Sequence, residues 1–338
     1  MTETQTEQVD PSRSVGDRGE VVCAVLGGGG DEAAAQLGAR LAELLSLRVA
    51  LVRVEYLPAP HDAVPVEGLH PLAPVPPISP VPPQPLPDDP VAASEPAEPE
   101  EWERDLVTSQ PLRHDTFPGP PGEALRTLSE ARGTRVLVAC DYGGGPLSSK
   151  LTGNAARDAV RDVRCPLVLV APDHTVKWSA APGIVCGIDE DEESAAVAGL
   201  AEGLAQRLGG RLHVVHVAAR PLSEDPPCIV ELEALDDNRR RSTEAAFEAC
   251  RAAMSPDADA SFVAVEGDTA DGLRFAAREL DAGLIVIGRP SHTSLGSALL
   301  GSSAHDLLRD GGLAVVIAPH LGPEALSPWT GSPEQGVS

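Results

Sequence analysis

The sequence predicts an α/β protein built from two tandem doubly wound domains, each with a five-stranded parallel sheet and helices on both faces. Short apolar, β-branched runs alternate with Ala- and Leu-rich segments of helical periodicity, and fully apolar strands are typical of parallel sheets covered on both sides. The pattern also repeats, because Val22–Val25 aligns with Val185–Ile188, and Cys165–Pro172 aligns with Gly312–Pro319. A length of 338 residues fits two domains of ordinary size.

The second domain is placed at 182–320 from its ordered run of strand and helix signals. Apolar residues recur at helical spacing between the first two strands, and the Gly209-Gly210 pair ends that helix. Thr269 and then Ser302 or Ser303 are the expected caps of the last two helices. The predicted strands are Gly183–Ile188, Leu212–Val217, Ser261–Val265, Leu284–Ile287 and Leu313–Ala318, with a further helix over Asn238–Met254.

The first domain, at 20–172, shows the same order with one interruption. Asp31 is the expected cap of its first helix, and a proline-rich insertion at 57–100 stands where the other half has its second helix. Proline lacks an N–H and fixes φ, so the 15 prolines among those 44 residues exclude a helix or a central strand. The remaining predicted elements are strands Val21–Leu26, Val49–Val54, Leu106–Phe117 (weak), Arg135–Cys140 and Leu167–Ala171, and helices Pro121–Ala131 and Gly153–Val163.

Charge and composition argue against some classes of partner and indicate the cellular compartment. The net charge of −25 repels phosphate backbones and anionic lipid surfaces, which argues against nucleic-acid and membrane partners. The segments 1–19 and 321–338 are polar or rich in Gly and Pro, and we expect them to be disordered tails. The six scattered cysteines form no CxxC pair, so we expect reduced thiols in a cytoplasmic protein.

Glycine-containing loops follow the fourth strand in both halves. In the second half the loop is Gly288-x-x-Ser291, nine residues, then Gly301-Ser302, and in the first it is Cys140-x-x-Gly143, nine residues, then Gly153-Asn154. Ligands of open parallel sheets bind outside the carboxyl ends of the strands. Glycines there let backbone N–H groups approach phosphate oxygens, and a following helix N-terminus adds partial positive charge.

Three features resemble the universal stress protein family, which has an adenine nucleotide alpha hydrolase-like fold. They are this G-x-x-G-x9-G-[S/T] spacing, Asp189 after the first strand, and the closing strand at Leu313–Pro319. The resemblance implies that the two halves pack as an intramolecular pseudo-dimer through their closing strands. It implies ATP or another adenine nucleotide, with or without Mg²⁺, as the ligand of the second domain. The residues it assigns to that site are Asp189, Val217, Gly288, Ser291, Gly301, Ser302 and Ser303.

The first domain departs further from this pattern. Leu26 replaces the aspartate, Cys140 the first glycine and Asn154 the final hydroxyl residue, while Gly143 and Gly153 remain. We therefore expect a retained fold with a weaker or lost site there. Ser291, in place of the second glycine, is the departure in the second domain, and it disfavours a backbone with φ above zero.

Other features have ordinary structural explanations. The run Gly27–Gly30 lacks the GK[ST] of a phosphate-binding loop, so a strand-to-helix turn is the simpler interpretation. His213 and His216 are an odd number of residues apart on one strand and face opposite sides, so they cannot share a metal. The acidic run Glu190–Glu193 favours the start of a helix.

Three functions follow from the sequence, in this order. The first is a stress-response module that binds an adenine nucleotide in its second domain. The second is a scaffold of the same fold that binds an unidentified protein partner and no nucleotide. The third is an enzyme that hydrolyses ATP or transfers a phosphate, which would need a positioned base or a cationic clamp at the loop.

Overall fold

The structure is a computed structural model of the full chain. It describes residues 7–8, 19–27, 30–55, 101–106, 108, 111–140, 163–171, 181–191, 193–219, 226–288, 307 and 313–319. The predictions for the insertion 57–100, for both glycine loops and the helices after them, and for the tail 321–338 lie outside these residues.

All described strands belong to one 12-stranded sheet. Most are continuous apolar runs, as strands buried on both faces require. In chain order they are β1 (Glu7–Gln8), β2 (Glu20–Val25), β3 (Arg48–Glu55), β4 (Arg113–Pro118), β5 (Thr134–Cys140), β6 (Leu167–Val170), β7 (Gly183–Ile188), β8 (Leu212–Ala219), β9 (Cys228–Val230), β10 (Ala260–Gly267), β11 (Ala282–Ile287) and β12 (Ala314–Ile317).

Helices connect these strands, and a 3-10 turn at Leu232–Ala234 follows β9. The Gly209-Gly210 stop acts as predicted, since Gly209 adopts φ of 65° and the N–H of Gly210 donates to the carbonyl of Ala205 at 2.9 Å. The helices are α1 (Asp31–Leu44), α2 (Glu101–Asp105), α3 (Pro121–Glu130), α4 (Glu193–Leu208), α5 (Asp237–Ala253) and α6 (Thr269–Glu279).

The sheet confirms the predicted fold class. Its order is β1-β4-β3-β2-β5-β6-β12-β11-β7-β8-β10-β9. Leaving out the two outermost strands, each half contributes five strands, parallel to one another, in the doubly wound order third, second, first, fourth, fifth. Reversal of direction after the first strand places the carboxyl ends of the first and fourth strands side by side, where such sheets bind ligands.

The two halves meet through their closing strands. β6 and β12 pair antiparallel, with Val168 opposite Val316 and Leu167 opposite Ile317. Apolar edge strands need cover, and this pairing gives each of them an outer neighbour. Above the junction, α1 and α4 approach over a small apolar cavity of about 10 Å³, lined by Leu41, Leu45, Val136, Pro166, Val168, Leu200, Leu204 and Val316.

Helices cover both faces of the second half. α4 and α5 pack on each other, and Cys250 of α5 lies beside α4 with its Sγ 3.8 Å from the carbonyl oxygen of Ser194. α6 lies on the opposite face, where Leu273 contacts Gly187 so closely that a Cβ on that glycine would be 2.9 Å from it. The core between these layers is almost wholly aliphatic, with Phe247 the largest fully buried side chain.

Several boundaries and caps differ from the predictions. The weak strand expected over 106–117 is β4 at Arg113–Pro118, preceded by the short helix α2. Two residues of the tail expected to be disordered form β1, which pairs with β4 at Asp115 and Thr116. β9 is an antiparallel edge strand paired with β10 at Ala264–Glu266, and it was not predicted because a run of three residues is too short to show a period.

Candidate functional site at the carboxyl edge of the sheet

Residues from three neighbouring strands meet at one edge of the second half. Ile287 of β11 is opposite Gly187 of β7, and Ile188 is opposite His216 of β8. Gly288, directly after β11, is therefore level with Ile188. Asp189, directly after β7, lies one position further along the neighbouring strand, and adjacent strands are about 5 Å apart. Val217 is next to His216 at the same level. Of the residues assigned to this site, Ser291, Gly301, Ser302 and Ser303 are outside the described part of the chain.

Asp189 opens a tight hydrogen-bonded turn into α4. Its N–H donates to Oγ of Ser194 at 3.0 Å, and its Oδ1 accepts the N–H of Asp191 at 2.7 Å. Asp191 in turn accepts the backbone N–H of Ser194 at 2.9 Å and its hydroxyl at 3.1 Å. Burial raises the pKa of Asp189, and the neighbouring Asp191 carboxylate adds to the shift. The turn therefore holds a half-buried carboxyl group that gives up its proton less readily than a free one.

Helix α5 anchors this turn from the side. Ser242 donates its hydroxyl to Glu190, 52 positions away in the chain. Next to it, the Thr243 hydroxyl donates to the carbonyl of Arg239 at 2.9 Å and lies 3.0 Å from Nδ1 of His216. A hydroxyl has one proton, so His216 donates from Nδ1 in this arrangement. Sequence reasoning missed these contacts, because a Ser-Thr pair inside a helix has no spacing that points to a distant strand.

The two histidines of β8 have separate surroundings, in line with their odd spacing. Nδ1 of His213 lies 2.6 Å from Oγ of Ser261 on β10, whereas His216 reaches Thr243 of α5 and stacks edge-on against Phe247. Burial lowers the pKa of both imidazoles. Within the described ranges no three His, Cys, Asp or Glu side chains are grouped to hold a metal ion.

Gly288 and Val217 are positions of close packing. A Cβ on Gly288 would be 3.2 Å from Cγ2 of Val197 in α4, so the strand end and the helix nearly touch. Val217 packs towards the other face, where a Cβ on Gly272 of α6 would be 2.8 Å from its Cγ1. The side chain of Val217 therefore contacts α6. The absence of a side chain at Gly288 lets the end of β11 approach the first turns of α4 closely.

In the first half, the carboxylate of Asp31 accepts the backbone N–H groups of the corresponding turn. Leu26 stands in the place of Asp189, and its N–H donates to Oδ1 of Asp31 at 3.1 Å, while Gly27 donates to Oδ2 at 2.8 Å. The prediction that Asp31 caps α1 is wrong, because Gly30 is the N-cap and Asp31 bonds back to the strand end. Gly27, with φ of 81°, directly follows the strand end, while Gly28 and Gly29 are outside the described residues. Gly143, Gly153 and Asn154 are outside the described residues.

Carboxylates also occupy the helix starts at the second-half edge. Asp236 accepts the N–H groups of Asn238 and Arg239 at the start of α5, at 3.1 and 3.0 Å. Asp268 accepts those of Ala270 and Asp271 at the start of α6, at 3.0 and 3.4 Å. The predicted cap Thr269 is therefore wrong by one residue, because Asp268 is the N-cap and Thr269 is the first residue of α6.

A comparison with protein-family models finds a match in the second half of the chain. The model of the universal stress protein family matches residues 183–319, which run from β7 to the end of β12. Residues 183–319 belong to the universal stress protein family. Within the described residues, no helix is long and apolar enough to cross a membrane.

Solved structures of universal stress proteins resemble the chain at low identity. A putative universal stress protein from Pseudomonas aeruginosa UCBPP-PA14 is 17% identical and has a TM-score of 0.47, with 93% of this chain and 97% of that one covered. A universal stress protein in complex with cAMP is 21% identical (TM-score 0.30, 41% and 98% covered). One from Archaeoglobus fulgidus in complex with dAMP is 19% identical (TM-score 0.28, 40% and 97% covered). No curated protein matches the sequence.

Proposed function

We propose that this chain is a tandem universal stress protein that binds an adenine nucleotide, ATP among the candidates, at the carboxyl edge of its second half. The observation that carries the proposal is the meeting of Asp189 and Gly288 on adjacent strands inside a universal stress protein domain. Ser291, Gly301, Ser302 and Ser303 complete the proposed phosphate loop. The structures with bound cAMP and dAMP support this ligand class.

The first half has a supporting role in this proposal. Its strand order repeats that of the second half, and β6–β12 pairing joins the two, so we propose an intramolecular pseudo-dimer with domains at 20–172 and 182–320. Leu26 replaces the aspartate, and Asp31 already accepts the N–H groups at the strand end. Nucleotide binding is therefore assigned to one site per chain, and the module acts as a cytoplasmic binding protein without a catalytic step.

A scaffold that binds a protein partner without nucleotide is the second candidate. It is favoured by the aspartates that already bond the helix starts at this edge, because they leave fewer backbone N–H groups for a phosphate. Under this alternative the glycine loop is a structural remnant.

Calorimetric titration of the full chain with ATP and with cyclic AMP separates the two. The nucleotide proposal predicts binding of at least one ligand with one site per chain. Gly301→Val, whose branched side chain would fill the space of the phosphates, should abolish it, while Gly122→Val, at a half-buried position of α3 in the first half, serves as the matched control. Absence of heat with every adenine ligand would favour the scaffold.

A further inference from the structure

Arginines gather at the amino edge of the first-half sheet, where its parallel strands begin. Arg48 and Arg113 are the first residues of β3 and β4, Arg135 is the second residue of β5, and Arg164 comes three positions before β6. The strand order β4-β3-β2-β5-β6 sets them in a row, and four strand spacings extend over about 19 Å. This row is positive although the chain as a whole has a net charge of −25.

The acids of these strand ends lie beneath the arginines. Glu20 of β2 and Asp115 of β4 are each 4% exposed. The guanidinium of Arg113 lies 2.9 Å from Glu20 and also bonds Asp115, and that of Arg48 lies 3.5 Å from Glu20. The side chains of Arg48 and Arg113 are themselves 34% and 40% exposed. The charged groups that reach the surface at these strand ends are therefore cationic.

Three further arginine side chains extend the positive surface. Arg132, Arg135 and Arg164 are all exposed. Within the described ranges, no carboxylate forms an ion pair with any of them. Glu130, the exposed acid at the end of α3, pairs instead with Arg126 at 3.6 Å. The charges of these three guanidinium groups are thus available to a binding partner.

The surroundings hold these three arginines close to one another. The N–H of Arg164 donates to Oγ of Ser129 at 3.1 Å, in the last turn of α3. Arg132 is the second residue after that helix. The stem of Arg135 lies along Gly19, where a Cβ would be 2.3 Å from its Cγ. Arg132 and Arg164 therefore flank the end of α3, and Arg135 lies between this end and the start of β2.

We propose that Arg48, Arg113, Arg132, Arg135 and Arg164 form an arginine edge that docks an acidic segment of a partner protein. Charge complementarity carries the inference, because the planar guanidinium group pairs with a carboxylate through two parallel hydrogen bonds. An extended peptide advances ~3.3 Å per residue, so roughly six residues match the length of the row. The surface lies in the first half and does not depend on nucleotide binding.

A nucleic acid fits the arginine edge less well than an acidic peptide. Duplex DNA carries one charge per ~1.7 Å of its axis, so it continues as a polyanion beyond the row. It then meets the remaining surface of a chain whose net charge is −25. A short acidic segment places its carboxylates on the arginines alone.

The test is the fluorescence anisotropy of a fluorescein-labelled hexa-aspartate peptide titrated with the full chain. We expect binding at low salt that weakens as salt is added, and no binding of a hexa-asparagine peptide. The triple variant Arg132→Gln/Arg135→Gln/Arg164→Gln should weaken binding at least about tenfold, since each exposed ion pair contributes about two- to threefold. All three side chains are exposed, so the variant should keep the urea midpoint of the wild type.

Arg211→Gln/Arg241→Gln/Arg278→Gln is the matched control, because it removes the same charge from exposed positions of the second half. It should weaken peptide binding by less than about twofold. An equal loss in both triple variants, or no binding of hexa-aspartate at low salt, would overturn the proposal. So would a single-stranded DNA hexamer that binds this edge more tightly than the peptide. Sedimentation velocity at low salt should show a monomer, and an assembly that the first triple variant dissolves would assign the edge to contacts between copies instead.

Discussion

The backbone N–H of Leu26 donates to Oδ1 of Asp31 at 3.1 Å, five residues further along the chain. The second half has the same bond at the same offset, where Asp189 donates to Oγ of Ser194 at 3.0 Å. The two strand-to-helix turns thus share one geometry. They differ in chemistry, because the acceptor of this bond is a carboxylate in the first half and a serine hydroxyl in the second, where the strand end itself carries the half-buried carboxyl group of Asp189.

Loss of the Asp31 carboxylate should destabilise the first half. Asp31→Ala removes the acceptor of two N–H groups, one of them on buried Leu26, and we expect a loss of about 1–3 kcal/mol in the free energy of unfolding. Asp31→Asn keeps one oxygen and should cost less. Urea denaturation followed by circular dichroism measures both, and an unchanged midpoint for the alanine variant would contradict the account.

A second test concerns the ion pair between Arg53 of β3 and Glu103 of α2. Glu103 is nearly buried, with 4% of its side chain exposed, and Arg53 donates to it from the strand. Arg53→Leu should cost about 3–5 kcal/mol, because it leaves a buried carboxylate without this partner. The double variant Arg53→Leu/Glu103→Leu should recover part of that loss in a double-mutant cycle. Additive losses would mean that the pair does not anchor α2.

Thiol reactivity should reflect burial. Cys228 is half-buried on β9, whereas the other five cysteines are buried. Burial raises the pKa of Cys23 and Cys165 to about 12 and that of Cys250 to about 11, so these thiols stay protonated at pH 8. Ellman's reagent should modify one thiol rapidly in the native chain and all six after unfolding. Cys228→Ser should remove the fast phase, and two or more fast thiols would contradict the described core.

The junction between the halves is tested by truncating Leu200 of α4. This side chain is 1% exposed and lines the small cavity below α1 and α4. Leu200→Ala enlarges that cavity and should cost about 2–5 kcal/mol in the free energy of unfolding, measured in urea. Ile229→Ala, at a side chain 47% exposed on the outer edge, should change it by less than about 0.5 kcal/mol. Equal effects of the two would show that the junction is loosely packed.

The sequence predicted the strands well and the caps poorly. Strands such as Leu284–Ile287 are buried on both faces and are therefore continuous apolar runs, so their position can be seen in the local sequence. Caps depend on which of several neighbouring acceptors reaches an N–H, and this is settled by backbone direction. Asp31 turned back to Gly27, and Asp268 capped α6 in place of Thr269, for that reason.

The candidate site was predictable only in part, for the same physical reason. Asp189 and Gly288 follow strands, so the sheet register brings them together whatever the loops do. The bond from Ser242 to Glu190 and the contact of Thr243 with His216 join α5 to the edge across long chain separations. They depend on how α5 packs, which no local pattern specifies.

Hydrogen exchange of the full chain with and without adenosine or cyclic AMP tests the central claim most directly, because it locates the ligand on the sheet. We predict that a saturating ligand slows exchange in peptides that cover 183–191 and 282–288, at the ends of β7 and β11. Peptides over 20–27 in the first half should exchange at an unchanged rate. Protection at 20–27, or no protection at either edge, would contradict a single adenine site in the second half.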